Sequence, residues 1–207
     1  GGGGSDGGDS GGDSRQKGPF HSPPSLSSLS NITPSVQLLR EAIHKNDVGA
    51  LQFLINNSTN LDRILPGSSS ITPLSLAASL GNVDCVRILL DAGAQKNTQN
   101  HYSQWTAISY AAEGGHFDCV QLLVKKGANC KCSAQNKSPA FIAAEAGHVE
   151  CLKLLVKGGI GGNADVNART KEDRCSVLRI SIRNNTESVS LALVTFLLQR
   201  GASVSDT

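Results

Sequence analysis

The chain has 207 residues, of which 39% are hydrophobic and 17% are charged. Its 19 Lys and Arg against 17 Asp and Glu give a formal net charge of +2. This charge is too small to hold a nucleic acid by counterion release, so nucleic acid is not an expected partner. No apolar run approaches the roughly 18 residues of a membrane span, and we expect a soluble chain with one or two cores.

Residues 1–33 form a tail dominated by Gly, Ser, Asp and Pro. This composition buries too little apolar surface to offset the entropy of ordering, so we predict that the tail is disordered. Gly1 to Ser5 would match an N-myristoylation pattern if a Met preceded them; a native flexible tail and a linker are the alternatives. Helical periodicity follows, and one domain is predicted over residues 34–207.

One phrase occurs three times in the chain and defines a repeat. Its first copy, Thr72-Pro73-Leu74-Ser75, runs into a pair of alanines and a Gly. The closing glycines lie at positions 81, 115 and 147, in steps of 34 and 32 residues. A chain with this period buries its apolar surface between neighbouring copies, so the sequence predicts stacked repeat units.

Each copy is predicted to form a helix, a tight turn and a second helix. Thr72 and Ser138 are good N-cap residues, and each precedes a Pro at the first helical position. Gly81 can adopt the left-handed conformation that ends the first helix. The second helix then shows apolar residues at helical spacing, as in Val83, Val86, Leu89 and Leu90.

Two further copies follow the same pattern, which gives five helix pairs. The last begins at Ser176 and has Asn185 in place of the Gly, and the first has Asn46 there. From Asn185 to Leu197, the last copy contains an insertion of about one helical turn. Residues 158–162 are predicted to form a flexible insertion, and we expect the repeats to continue beyond the last residue.

Three of the six cysteines occupy one place in successive copies, four residues after the Gly. Equivalent sites on stacked helices lie about 8–10 Å apart, which is too far for a disulfide. Cys85, Cys119 and Cys151 are therefore predicted to be reduced core thiols. Free thiols persist in reducing compartments, so a cytoplasmic location is expected, with the nucleus as a possibility.

These phrases resemble the ankyrin repeat family, whose usual pattern is Thr-Pro-Leu-His-Leu-Ala-Ala, then Gly-His and Gly-Ala-Asp-Val-Asn. The resemblance covers about residues 35–205 and is nearest at Gly115-His116, Gly147-His148 and residues 164–168. It implies an all-α ankyrin-repeat solenoid of stacked antiparallel helix pairs with β-hairpin fingers. The His of the family's Thr-Pro-Leu-His phrase is replaced in this chain by Ser75, Ser109, Phe141 and Arg179. Because this His is a stabilising hydrogen-bonding residue of the family pattern, its loss predicts modest stability.

No catalytic residue, cofactor or metal site is predicted. His116 and His148 recur at one repeat position, which favours a structural role over acid–base catalysis. Cys130 and Cys132 have no second ligand pair nearby for zinc, although an exposed thiol pair there could be sensitive to oxidation. The Gly clusters lack the Lys-Ser or Lys-Thr of a phosphate-binding loop.

The finger at residues 96–106 is the strongest candidate for partner binding. It carries His101, Tyr102 and the only Trp of the chain, Trp105, on a hairpin expected to be exposed. Exposed aromatic residues often dominate binding energy. The alternative is that Trp105 packs against the base of the neighbouring finger.

The family resemblance also implies a concave binding face formed by fingers and first helices. Lys137, Glu113 and Glu145 are expected to rim its groove, with Leu80 and Trp105 at its apolar centre, although charges on such a surface are usually just solvated. The positions that correspond to the family's variable sites are Ile71, Ser79, Leu80, Trp105, Glu113, Lys137, Glu145 and Cys175.

The leading hypothesis is a non-enzymatic protein-interaction module, an adaptor or scaffold that binds a partner protein through this face. We expect the chain to be monomeric. A second hypothesis is the substrate receptor or regulatory subunit of a larger assembly, for example a ubiquitin ligase. A third is the targeting region of a multidomain enzyme.

Overall fold

The computed structural model describes residues 34–57, 60–65, 71–101, 103–131, 137–157, 164–167, 169–170, 175–184 and 187–203. The described part of the chain contains ten α-helices and no sheet. The predicted tail, the predicted insertion at residues 158–162 and the predicted turn at Asn185 lie outside it. The helices are α1 (Pro34–His44), α2 (Val48–Asn56), α3 (Pro73–Ser79), α4 (Val83–Asp91), α5 (Ala107–Glu113), α6 (Phe117–Lys125), α7 (Pro139–Glu145), α8 (Val149–Val156), α9 (Val177–Asn184) and α10 (Glu187–Gln199).

The helices are arranged in five successive pairs that stack in two layers. The first helices of the pairs pack in the order α1, α3, α5, α7 and α9, and α2, α4, α6 and α8 stack beside them. Between the first helices lie alanine pairs with almost no exposed surface, such as Ala77 with Ala78 and Ala111 with Ala112. Their small side chains let the helix backbones approach closely, so the core is shared between neighbouring repeats.

The predicted N-caps form as expected at three of the first helices. The hydroxyl oxygens of Thr72, Ser138 and Ser176 each accept a hydrogen bond, 3.2 Å long, from the backbone N–H three residues later. Pro73 and Pro139 follow at the first position of α3 and α7. A cap of this kind satisfies one of the N–H groups that a helix start leaves unpaired.

The serines that replace the family's His keep a hydrogen bond at that position. The Thr72 hydroxyl donates to the Ser75 hydroxyl at 3.0 Å, and the hydroxyls of Thr106 and Ser109 lie 3.3 Å apart. All four side chains are buried. The replacement therefore costs less hydrogen bonding than the sequence comparison implied.

Left-handed residues end the first helices and make room for a His from the next repeat. Gly115 has φ +69°, and a Cβ there would lie 2.5 Å from Nδ1 of His148. His148 Nε2–H donates to the Glu113 carbonyl at 2.9 Å. His116 makes the same bond to the Ser79 carbonyl at 3.0 Å. Both His residues therefore connect adjacent repeats, which agrees with the structural role predicted for them.

The fingers are held together by side-chain bonds between repeats. Isolated antiparallel bridges, Leu65 with Ile71 and Arg169 with Ser176, close the bases of two fingers. Asp62 and Asn97 each accept a hydrogen bond from a backbone N–H of the following finger, at 2.7 and 2.9 Å. Asn167 does the same for Ser203 at 2.8 Å. These bonds fix the spacing of neighbouring fingers.

Candidate protein-binding surface

Two rows of equivalent residues lie along the side of the stack where fingers and first helices meet. The finger-base row contains the residue before each N-cap. The helix-end row contains the residue two positions before the left-handed turn. The finger-base row is Ile71, Trp105, Lys137 and Cys175, and the helix-end row is Ser79, Glu113 and Glu145.

Only the middle of the finger-base row is accessible. Ile71 is 7% exposed and its backbone pairs with Leu65, so its side chain offers little surface, and its role in partner binding stays a prediction. Cys175 is buried to the same extent. Trp105 is partly exposed, and the Lys137 side chain keeps 33% of its surface. The bridge to Leu65 closes the base of Ile71's own finger.

A loop organised by Asn100 holds Trp105 in place. The buried Asn100 amide oxygen accepts hydrogen bonds from the backbone N–H of Ser103 and Trp105, at 2.8 and 3.2 Å, and from the Ser103 hydroxyl at 2.7 Å. Its amide NH₂ donates to the Tyr110 hydroxyl. Gln104 is left-handed, with φ 54°. Sequence reasoning missed Asn100, because polar composition alone does not distinguish a buried finger Asn from an exposed one.

Trp105 packs on its own repeat while part of its ring stays accessible. Its ring meets Tyr110 edge-on, with centroids 5.2 Å apart. Burial raises the pKa of the Tyr110 hydroxyl. The Trp105 indole N–H is buried and has no hydrogen-bond acceptor in the described structure. Trp105 therefore packs at the base of its own finger and still contributes surface, and its role in partner binding stays a prediction.

The charged residues of the two rows meet between α5 and α7. Lys137 Nζ lies 2.7 and 2.9 Å from the two carboxylate oxygens of Glu145 and 5.6 Å from the centre of the Phe141 ring. The Phe in place of the family's His is thus a buried core residue that Lys137 also contacts. Burial, together with the nearby Glu145 carboxylate, raises the pKa of Glu113. Glu113 forms no ion pair among the described residues.

Leu80 and His101 are both exposed, whereas Tyr102 lies outside the described residues. Leu80 follows α3 and is 39% exposed, which is high for a leucine next to a tightly packed helix. We call Leu80, Trp105, Glu113, Lys137 and Glu145 the central face. It combines apolar and charged side chains in the middle repeats.

The cysteines belong to the core and not to this surface. Cys85, Cys119 and Cys151 are buried and form no disulfide, as predicted. Burial, with a carboxylate next to each thiol in the chain, raises the pKa of Cys119 to about 12 and the pKa of Cys151 to about 11. Cys130 is also buried, because its finger base packs into the core, so the expectation of an exposed thiol pair is wrong there. Cys132 lies outside the described residues.

The described residues include no cluster of three or more His, Cys, Asp or Glu that could hold a metal ion. Within the same ranges, no helix has the length and apolar character needed to cross a membrane.

A family model described as ankyrin repeats matches residues 39–134 and 128–207. The chain belongs to the ankyrin repeat family. Its helix pairs and the His bonds between repeats agree with that membership. A comparison with curated proteins finds no match to this chain. Ankyrin repeats generally serve as protein-interaction modules and are typically non-catalytic.

Proposed function

We propose that this ankyrin repeat chain is an adaptor or scaffold that binds a partner protein through the central face. The observation that carries the proposal is the state of Glu113. Its carboxyl is partly buried beside a second carboxylate, and it has no cation paired with it in the described structure. Folding alone gains nothing from this arrangement, since burial and like charge both oppose ionisation.

The neighbouring side chains suit a protein partner. Leu80 and Trp105, which the family resemblance places on the same side as the two carboxylates, both keep exposed surface. Interfaces commonly place an aromatic anchor at the centre and charged residues around it. A partner residue carrying a positive charge would relieve the repulsion between Glu113 and Glu145 while its stem covered the apolar surface.

Affinity purification with matched variants tests this proposal. Wild-type chain, Trp105→Ala and Glu113→Lys serve as baits, and Arg87→Ala is the control because Arg87 is exposed on α4, outside the central face. A true partner is retained by wild type and by Arg87→Ala, and is lost from both central-face baits. Equal recovery on all four folded baits would rule out the central face.

We also propose a cytoplasmic or nuclear location. Five cysteines carry buried thiols that form no disulfide, and a chain that keeps its thiols reduced suits a reducing compartment. Imaging of a tagged full-length protein tests this; accumulation in an oxidising compartment would contradict it.

A further inference from the structure

A groove lies on the outer side of the first repeat, between α1 and α2. It encloses about 310 Å³. Leu38 and Phe53 stand at its edges and are 53% and 69% exposed. We call it the end groove; its apolar wall is Leu38, Ala42, Ala50, Phe53 and Leu54, and the charged residues Glu41, Lys45 and Asp47 also line it.

Comparison with the second repeat shows what normally covers such a groove. Asn46 and Gly81 mark the same place, since both are left-handed and end the first helix of their repeats. The positions that then correspond are Ala42 and Ala77, Ala50 and Cys85, and Leu54 and Leu89.

In the second repeat these positions face the preceding repeat. All three residues there, Ala77, Cys85 and Leu89, are 0% exposed. Cys85 Sγ also lies 3.2 Å from Asn46 Oδ1, across the junction. The end groove is therefore a stacking surface of the solenoid that no described residue covers.

The chain just before α1 has the composition to cover it. Residues 1–33 contain four hydrophobic residues, and all four fall between positions 20 and 32: Phe20, Leu26, Leu29 and Ile32. Residues 18–33 contain no Asp, Glu, Lys or Arg, whereas the charges of the tail all lie before them. An uncharged segment can enter an apolar groove without the cost of desolvating a charge.

Chain continuity places this segment next to the groove. Pro34 begins α1, and Leu38 lies one helical turn further on. Five extended residues reach about 17 Å, which is as long as the whole of α1, so Leu29 can reach any part of the groove. A tether this short also gives a high effective concentration, on the order of millimolar.

We propose that residues 26–32 fold back on α1 and cover the end groove, with Leu26 and Leu29 entering it. The segment thereby takes the place of a preceding repeat and caps the solenoid. The composition argument for disorder then applies to the charged, Gly-rich residues 1–17. This cap is independent of the central face, which lies in the middle repeats.

Hydrogen exchange on the full chain tests the cap. Leu26→Asp with Leu29→Asp should speed amide exchange in α1 and α2 by about tenfold or more, and leave α6 unchanged. Phe53→Ser, on the groove side, should have the same regional effect, and Phe53 is exposed enough for that variant to fold. The control is Ser5→Asp with Ser10→Asp, which adds the same charge to the Gly-rich part and should behave as wild type.

Combining the Leu26, Leu29 and Phe53 changes should give no more than the larger single effect, because both sides lose the same contact. Unchanged exchange in the Leu26 and Leu29 variant, or fully additive effects, would overturn the proposal. Sedimentation over a range of concentrations tests whether a second copy of the chain fills the groove instead. If dilution dissociates a dimer and also removes the exchange protection of α1 and α2, a second copy fills the groove and the proposal is wrong.

Discussion

The imidazole Nε2 of His148 lies 2.9 Å from the carbonyl oxygen of Glu113, in the preceding repeat, and its ring occupies the space left by Gly115. This hydrogen bond joins two adjacent repeats at a residue of the central face. The His that holds the repeats together also fixes the backbone that presents the Glu113 carboxyl.

The Gly115 position should tolerate no side chain. Gly115→Ala forces a Cβ into the His148 ring as well as a left-handed alanine, and we expect a loss of about 3 kcal/mol or more in unfolding free energy. Gly93→Ala is the matched control, since φ there is +91° but nothing lies within 4 Å of an added Cβ. Its loss should be about 1–2 kcal/mol. Urea unfolding measures both, and equal losses would mean that the His contact contributes nothing.

Asn100 should control the Trp105 loop. Asn100→Ala removes the acceptor of three hydrogen bonds, and two of its donors are backbone N–H groups of the loop. We expect a loss of about 1–3 kcal/mol and a red shift of the fluorescence of the single Trp. The exposed Gln99→Ala serves as control and should change neither value. A native emission spectrum for Asn100→Ala would show that the loop is held by other contacts.

Glu113→Gln should stabilise the fold at neutral pH. The folded-state pKa of Glu113 is raised above its ordinary value of 4.5, so its contribution to stability is present below that value and is lost as pH rises through the folded pKa. The neutral amide avoids this loss. Thermal unfolding near neutral pH should show a higher Tm for Glu113→Gln, and the gain should vanish below about pH 4. A lower Tm at neutral pH would indicate a favourable ion pair.

The core thiols should make the protein less stable in alkali. The folded pKa values of Cys119 and Cys151 are about 12 and about 11, against an ordinary value of 9.0, so the unfolded chain loses these protons first. Stability is therefore complete below about pH 9 and falls as pH rises towards 11–12. Urea midpoints across this range should fall more steeply for wild type than for Cys119→Ala. Parallel curves would mean that Cys119 titrates normally.

The sequence predicted the fold well because repetition makes its signals redundant. The N-caps at Thr72 and Ser138 and the turn at Gly81 each appear at a fixed place in successive copies, so one copy confirms another. Burial within a finger has no such signal. Ile71 and Trp105 are equivalent in sequence, yet one is buried and the other partly exposed, because their fingers close differently.

The sequence predicted the individual charged residues of the surface but not the contacts between them. Lys137, Glu113 and Glu145 were each placed on one face by resemblance, whereas the bond between Lys137 and Glu145 runs along α7, from the finger base to the helix end, and depends on the side-chain conformation of Lys137. The contact of Lys137 with Phe141 could not be predicted either, since it requires the ring to turn beneath the ammonium group.

The most direct test of the central face is the affinity of a purified partner for wild type and Trp105→Ala, measured by titration calorimetry. Trp105→Ala should weaken binding by about 30-fold, which corresponds to about 2 kcal/mol, while Arg87→Ala binds as wild type does. Circular dichroism must show that both variants are folded. Unchanged affinity of a folded Trp105→Ala variant, together with unchanged affinity of Glu113→Lys, would contradict binding at the central face.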